Sequence, residues 1–209
     1  MEQKEIDKAV RYLKKEGTLK KVIQKNPKPD FSGRKNPYQS LVRTIIYQQL
    51  SGKAASTIKQ RFLDLYPCAR HPVPEDVLKT SDSKLRSVGL STQKVTYIKD
   101  LSEKFIEGHI TSRTLKKMSD DEVREHLIQI KGIGNWTVDM FLMFTLYRPN
   151  ILPTGDLGIQ KGFQKLFKLK KLPDSKKMLT LAKPWEPYRT VASWYVWRVV
   201  DTDDGGEEW

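Results

Sequence analysis

The stretch Ile130-Lys131-Gly132-Ile133-Gly134-Asn135-Trp136-Thr137 decides the reading of this chain, together with an isolated Asp156 downstream of it. Two glycines flanking an Ile let the backbone turn tightly and come close to a surface that a Cβ would obstruct. Upstream, Ser119-Asp120-Asp121-Glu122 reads as a capping box, and Val123, Leu127 and Ile130 repeat at i, i+4 and i+7. Downstream, Trp136 to Tyr147 is apolar almost all round, which predicts a buried helix. In a helix, Gly-x-Gly turn, helix unit, the second helix offers its first amides to an anion at the turn, and a nucleic-acid phosphate is the natural one.

Helical spacing extends outward from this unit in both directions. Ile6, Val10 and Leu13 mark a first helix closed by Gly17, and 26–37 is a proline-containing connector. Residues 38–50 and 52–66 read as a helix pair joined at Ser51-Gly52, followed by a Pro-rich loop over 68–74. Ser81 to Val88 is a short helix ending at Gly89, and Thr92 to Glu107 carries Val95, Ile98, Leu101 and Phe105 at helical spacing. Pro149 and Pro153 frame an extended loop that ends at Asp156; Ile159, Phe163 and Leu166 mark the next helix, and 187–200 the last. No alternating run is long enough for a sheet, so the fold class is all-α. The turn Val88-Gly89-Leu90-Ser91 faintly echoes the Gly132 turn, as a second backbone contact or simply as a helix cap.

Composition narrows the function. Across 209 residues, Lys+Arg 38 against Asp+Glu 25 gives a net charge of +13. That excess favours a polyanionic partner through counterion release, although a merely soluble basic protein explains it too. Basic residues gather at Lys20, Lys21, Lys25, Lys28, Arg34 and Lys35, and again over 161–177, directly after Asp156. A lone Cys68 excludes a disulfide framework and any four-Cys metal or iron–sulfur site. His71, His109 and His126 lack metal-ligand spacing and read as surface or capping residues. With a charged N-terminus and short apolar runs, no signal peptide or spanning segment is visible, so an intracellular, soluble protein is expected, in cytoplasm, nucleoid or nucleus. The acidic, Gly-containing stretch 201–209 reads as a flexible tail.

At this point the sequence resembles the helix-hairpin-helix superfamily of DNA glycosylases, and within it the alkylbase (3-methyladenine) DNA glycosylase II family. Three ordered blocks over roughly residues 36 to 200 carry the likeness. They are 43–55 (Arg-Thr-Ile-Ile-Tyr-Gln-Gln-Leu-Ser-Gly-Lys-Ala-Ala), the hairpin through 152–159 (Leu-Pro-Thr-Gly-Asp-Leu-Gly-Ile), and 184–198, which opens Pro-Trp-Glu-Pro-Tyr-Arg. The resemblance implies two helical lobes with an active-site cleft between them, 36–110 forming a central lobe and 1–35 plus 111–200 the hairpin-containing lobe. Some members carry an additional N-terminal β-domain, for which the segment before residue 36 is too short.

The resemblance also assigns residues. Asp156 takes the place of the carboxylate that stabilises positive charge on the sugar and orients or deprotonates the attacking water, as in other glycoside hydrolyses. Read from pattern alone, Asp156 is a helix N-cap, and the two roles are compatible. Several relatives have a second acid just before this position, where Gly155 stands here. Relatives that also nick the strand place a Schiff-base Lys two residues after the second hairpin Gly; Trp136 occupies that place, and Lys131 precedes the first Gly. A monofunctional enzyme follows, leaving an abasic site.

Trp136, Trp197 and Tyr47 match or approach the family's base pocket, where electron-rich rings suit cationic N3- or N7-alkylated purines. For Trp185, Trp194 and Tyr195 a core role is the stronger reading, and Arg189 either holds a phosphate or pairs with an acid. Gln49 aligns with an intercalating plug that fills the gap left by the flipped nucleotide, or is an exposed amide at a helix end. By the same resemblance, Gly132, Ile133 and Gly134 would be the phosphate-binding hairpin, and the structural Na+ or K+ that relatives hold there when DNA is bound would fall on the carbonyls of Ile128, Ile130 and Ile133. No catalytic metal or other cofactor is required, and the expected partner is double-stranded DNA containing alkylated bases, bound by a monomer. Two other readings are a non-catalytic DNA-binding module, which leaves the Asp156 and Trp185 blocks unexplained, and a bifunctional oxidised-base glycosylase, which Trp136 and the missing four-Cys cluster disfavour.

Overall fold

The computed structural model describes residues 1–31, 36–50, 52–67, 71–108 and 110–200. The sequence features at Arg34, Lys35, Ser51, Cys68 and His109, and in the tail 201–209, lie outside the described residues. Among the described residues there are thirteen α-helices, one 3-10 turn and no strand, in keeping with an all-α fold. No helix among them is long and apolar enough to cross a membrane.

The chain divides into two compact units, Met1–Arg34 with Leu142–Trp209, and Lys35–Phe141. In the first, α1 (Gln3–Glu16) buries the expected stripe of Ile6, Val10 and Leu13 and stops at Gly17, whose φ of 105° lets its amide reach the Leu13 carbonyl. It packs on α2 (Lys20–Lys25) and on α13 (Arg189–Arg198), and α13 packs on α11 (Leu157–Leu166). Short α12 (Ser175–Leu181) and a 3-10 turn at Lys183–Trp185 complete the unit. Its core joins Ile6, Leu13, Phe163, Trp185, Val191 and Tyr195, so Trp185 and Tyr195 are core residues, as their spacing suggested.

The second unit runs from α3 (Pro37–Tyr47) to the first turns of α10 (Asn135–Phe144). Helix α3 begins on Asn36, whose side chain accepts from Gln39 N at 3.2 Å, with Pro37 at the first position. It packs on α4 (Gly52–Asp64) and on the long α7 (Thr92–Ile106), which also receives α5 (Pro74–Lys79) and α6 (Asp82–Ser87). Helices α8 (Ser112–Lys117) and α9 (Asp120–Leu127) lead into the hairpin, and α9 starts on the anticipated capping box of Ser119 and Glu122.

Two differences from the sequence reading have physical causes. Pro74, expected to end a loop, instead opens α5, because proline is tolerated at the first helical position. The hairpin groups with 35–141 rather than with the lobe 1–35 plus 111–200, since its backbone is tied to α3 and α7 by the bonds described next.

Candidate active site

Asp156 sits at the N-cap of α11. Its Oδ1 accepts from Ile159 N at 2.8 Å and from Trp197 Nε1 at 2.8 Å, and the side chain is half-buried. The capping role and an aromatic N–H donor are thus combined on one carboxylate oxygen. Two glycines make the arrangement possible. A Cβ at Gly162 would lie 2.5 Å from Val196 Cγ1 and 2.6 Å from the Val196 carbonyl, so only glycine lets α11 approach α13 this closely. A Cβ at Gly158 would press on the Trp197 ring at 3.0 Å and on Asp156 Oδ1 at 3.1 Å. Trp197 is in turn stacked on Phe144, with centroids 6.0 Å apart and planes at 27°.

The extended loop that delivers Asp156 is fastened to the same helix. Thr190 N donates to the Pro149 carbonyl at 2.9 Å and Thr190 Oγ1 to the Arg148 carbonyl at 2.5 Å, while Ile151 N donates to Thr190 Oγ1 at 3.0 Å. Ser193 Oγ adds a bond to the Ile151 carbonyl at 3.4 Å. Thr190, Ser193 and Trp197 fall at i, i+3 and i+7, so one face of α13 holds the loop, the carboxylate and the indole in register.

In the other unit the hairpin is braced from below. Gly132 has φ of 79°, the left-handed region, and a Cβ there would meet the Tyr97 ring at 2.1 Å. Its carbonyl accepts from Gln48 Nε2 at 2.8 Å, and Lys131 N donates to Asp100 Oδ2 at 2.9 Å. Lys94 Nζ donates to the carbonyls of Ile46 and Gln48, both at 2.8 Å, capping the C-terminal end of α3 where the helix dipole favours a cation. Burial pulls the pKa of this ammonium below the ordinary lysine value. Arg124 Nη2 donates to Oδ1 of the buried Asp139 at 2.6 Å, joining α9 to α10 across the turn. Among the described residues nothing accepts from the amides of Gly132 and Gly134.

Each residue singled out from the sequence now has a place. Asp156 and Trp197 are brought together directly. Gln49 is exposed and adopts a left-handed φ of 55°, immediately after the capped end of α3. Tyr47 is half-buried, and the Arg43 guanidinium already lies 4.3 Å above its ring, which leaves one face fewer for a cationic base. Trp136 is half-buried near the start of α10. Ile130 and Ile133 turn their side chains into the core whereas Ile128 is exposed, and the carbonyls of Ile128 and Ile133 accept no hydrogen bond among the described residues. Arg189 resolves to pairing, with Glu186 Oε1 at 2.7 Å and the Ala182 carbonyl at 3.3 Å. A Cβ at Gly134, by contrast with Gly132, would meet no protein atom within 4 Å. No group of His, Cys, Asp or Glu among the described residues is arranged to hold a metal ion.

Gln48, Lys94, Tyr97, Asp100 and Gly158 escaped the sequence reading. The three on α7 recur every third residue beside its apolar stripe, which by pattern is an ordinary solvated face.

Comparison with known proteins follows the same blocks. Residues 42–187 match the HhH-GPD superfamily of base excision DNA repair proteins. DNA-3-methyladenine glycosylase 1 of Schizosaccharomyces pombe is 37% identical over 166 residues, covering 79% of this chain and 73% of that protein. Among solved structures, a 3-methyladenine DNA glycosylase of the same yeast in complex with abasic DNA superposes with a TM-score of 0.81 at 34% identity, covering 96% of this chain and 100% of that one. A DNA-3-methyladenine glycosidase from Bacillus halodurans gives a TM-score of 0.81 at 36% identity, covering 92% of this chain and 88% of that one. With the match spanning the first block, the hairpin and the Asp156 loop, the chain belongs to the HhH-GPD superfamily of base excision DNA repair proteins.

Proposed function

We propose that the chain is a monofunctional DNA glycosylase that hydrolyses the N-glycosidic bond of alkylated purines, 3-methyladenine and 7-methylguanine among them, in nucleotides flipped out of duplex DNA. The observation that carries this reading is the Asp156 carboxylate, oriented through one oxygen by Ile159 N and Trp197 Nε1. Bond cleavage builds positive charge on the deoxyribose, and a fixed carboxylate stabilises that charge without having to reorganise. An N3- or N7-alkylated purine already carries formal positive charge and departs without prior protonation. Trp197, stacked on Phe144, offers such a base an electron-rich ring, and Trp136 and Tyr47 are the other candidates. The names borne by the yeast and Bacillus relatives support the same substrate class.

Strand cleavage needs an amine at the sugar, and the place the lyase relatives use is Trp136. Lys131, the nearest amine in the hairpin, has its Nζ 3.8 Å from Asp100 Oδ1. Incubation with alkylated duplex is therefore expected to release free base and to give strand breaks only after alkali. Efficient borohydride trapping of a protein–DNA adduct is the result that would overturn the monofunctional reading.

The amides of Gly132 and Gly134 suit a phosphate of the damaged strand. Carbonyls of Ile128, Ile130 and Ile133 would hold a Na+ or K+; hard oxygen donors of this kind fit such an ion, and among the described residues two of the three accept no hydrogen bond. Such an ion would add positive charge beside a phosphate held by the hairpin amides. Gln49, exposed on a left-handed turn that Lys94 fastens, is suited to fill the space of the displaced nucleotide. Gln49→Ala should weaken binding to a duplex carrying an abasic-site analogue by roughly 5- to 50-fold, the equivalent of about 1–2 kcal/mol of stacking and hydrogen bonding. Equal affinities of variant and wild type in a fluorescence titration would remove Gln49 from the site.

A further inference from the structure

The densest lysine run has no part in the chemistry above. Residues 161–177 hold seven lysines and a single acid, Asp174, whose Oδ1 is engaged as the cap of α12 by Lys177 N at 2.7 Å. All seven lysines are exposed, and Lys168, Lys170, Lys171, Lys176 and Lys177 pair with no carboxylate among the described residues.

Lys168 adds a second, independent observation. Helix α11 ends in a full Schellman turn, with Leu169 N donating to the Gln164 carbonyl at 2.9 Å and Lys168 N to the Lys165 carbonyl at 3.4 Å. The left-handed position of that turn, where glycine is favoured, is filled by Lys168 at φ of 52°. A side chain held where its backbone is unfavourable points to a role for the side chain. Position supports the same role. From Asp156 to Lys168 at the opposite end of α11 the chain rises about 18 Å, with exposed Lys161 and Lys165 on one face between them. At about 3.4 Å per base pair, this is the span of about five base pairs.

We propose that the lysine-rich face running from the end of α11 into α12 is a second DNA-binding surface, which grips backbone phosphates of the flanking duplex without regard to sequence. The proposal rests on the glycosylase reading. It gives the enzyme a hold on undamaged duplex, and so a means of scanning it, that does not depend on a flipped base.

The test compares wild type, Lys168→Gly and a fourfold variant (Lys170→Gln, Lys171→Gln, Lys176→Gln, Lys177→Gln). On an undamaged duplex of about 30 bp, the fourfold variant should show a log-affinity against log-salt slope shallower by about 2–4, since each phosphate no longer neutralised lowers it by about 0.9. On a loop-closed duplex of about 8 bp centred on an abasic-site analogue, which ends short of the face, its affinity should match wild type within about twofold. Lys168→Gly should weaken binding to the long duplex several-fold yet raise Tm by about 2–4 °C as the turn relaxes. Unchanged slopes on the long duplex overturn the proposal, and so does binding of acidic proteins or anionic vesicles that is lost in the variants while DNA binding is not. A gain in Tm without loss of affinity removes Lys168 from the face. Failure of the glycosylase reading looks different: wild type would then release no base from alkylated DNA, whatever the slopes.

Discussion

Asp156→Asn is expected to slow base release from saturating alkylated duplex by about 100- to 10,000-fold while leaving the melting temperature nearly unchanged. The separation follows from what Oδ1 does. It accepts from Ile159 N and Trp197 Nε1, and an asparagine amide oxygen can accept from both in the same geometry, through bonds that lack the carboxylate's charge. Asn is also as good an N-cap as Asp, so α11 keeps its start. The negative charge is lost, and in the proposed mechanism that charge stabilises the cation forming on the sugar. Asp156→Ala should behave differently, because it removes the cap at a cost of about 1 kcal/mol and leaves the Trp197 N–H without an acceptor for about 1–3 kcal/mol more. The alanine variant therefore loses several degrees of Tm along with its activity. Trp197→Phe probes the same oxygen from the other side: the ring on Phe144 stays, the donor goes, and release should fall by about 10-fold or more. Single-turnover kinetics on methylated duplex, beside a thermal melt, decide the matter. An Asn variant that releases base within threefold of wild type would exclude Asp156 from the chemistry and reduce it to a cap.

Much of this site is legible in the sequence because its parts are written locally. A Ser-x-x-Glu box starts α9, a Gly takes the left-handed turn, and an Asp starts α11, each within four residues of the feature it controls. The capping role of Asp156 is legible too, since an Asp directly before an apolar-periodic segment commonly starts a helix. What is not legible is whatever depends on two distant segments meeting. Lys94, Tyr97 and Asp100 look like a wet face of α7 until α3 and the hairpin are laid against them. The short helices α2, α5, α8 and α12 have six or seven residues each, too few for an apolar period to declare itself. Gly158 and Gly162, four apart on α11, carry a signal of close helix packing that can be read only with a partner in view. Gly134 is the converse case. Its Cβ position is open, so no contact among the described residues explains the glycine.

That contrast between the two hairpin glycines gives the second large effect. Gly132→Ala should destabilise the protein by about 2–5 kcal/mol, lowering Tm by on the order of 10 °C. Holding alanine at φ of 79° costs about 1–2 kcal/mol. The new methyl would also start 2.1 Å from the Tyr97 ring, 2.3 Å from a second ring atom and 2.6 Å from a third, and relieving that overlap costs about 1–3 kcal/mol more. The hairpin can escape only by lifting off α7, which stretches the Gln48 Nε2 bond to the Gly132 carbonyl and the Lys131 N bond to Asp100. Tyr97→Ala combined with Gly132→Ala should recover part of the loss, because the overlap is gone and the backbone cost alone remains. Gly134→Ala is expected to leave Tm within about 1 °C, since its methyl enters open space, and yet to weaken DNA binding at least 10-fold if a phosphate comes to rest against that turn. Thermal melts of the four proteins, with titrations of an abasic-analogue duplex, separate folding from binding. A Gly132→Ala protein as stable as wild type would mean that the hairpin is not seated on Tyr97, and a Gly134→Ala protein that binds DNA normally would mean that no strand approaches the open side of the turn.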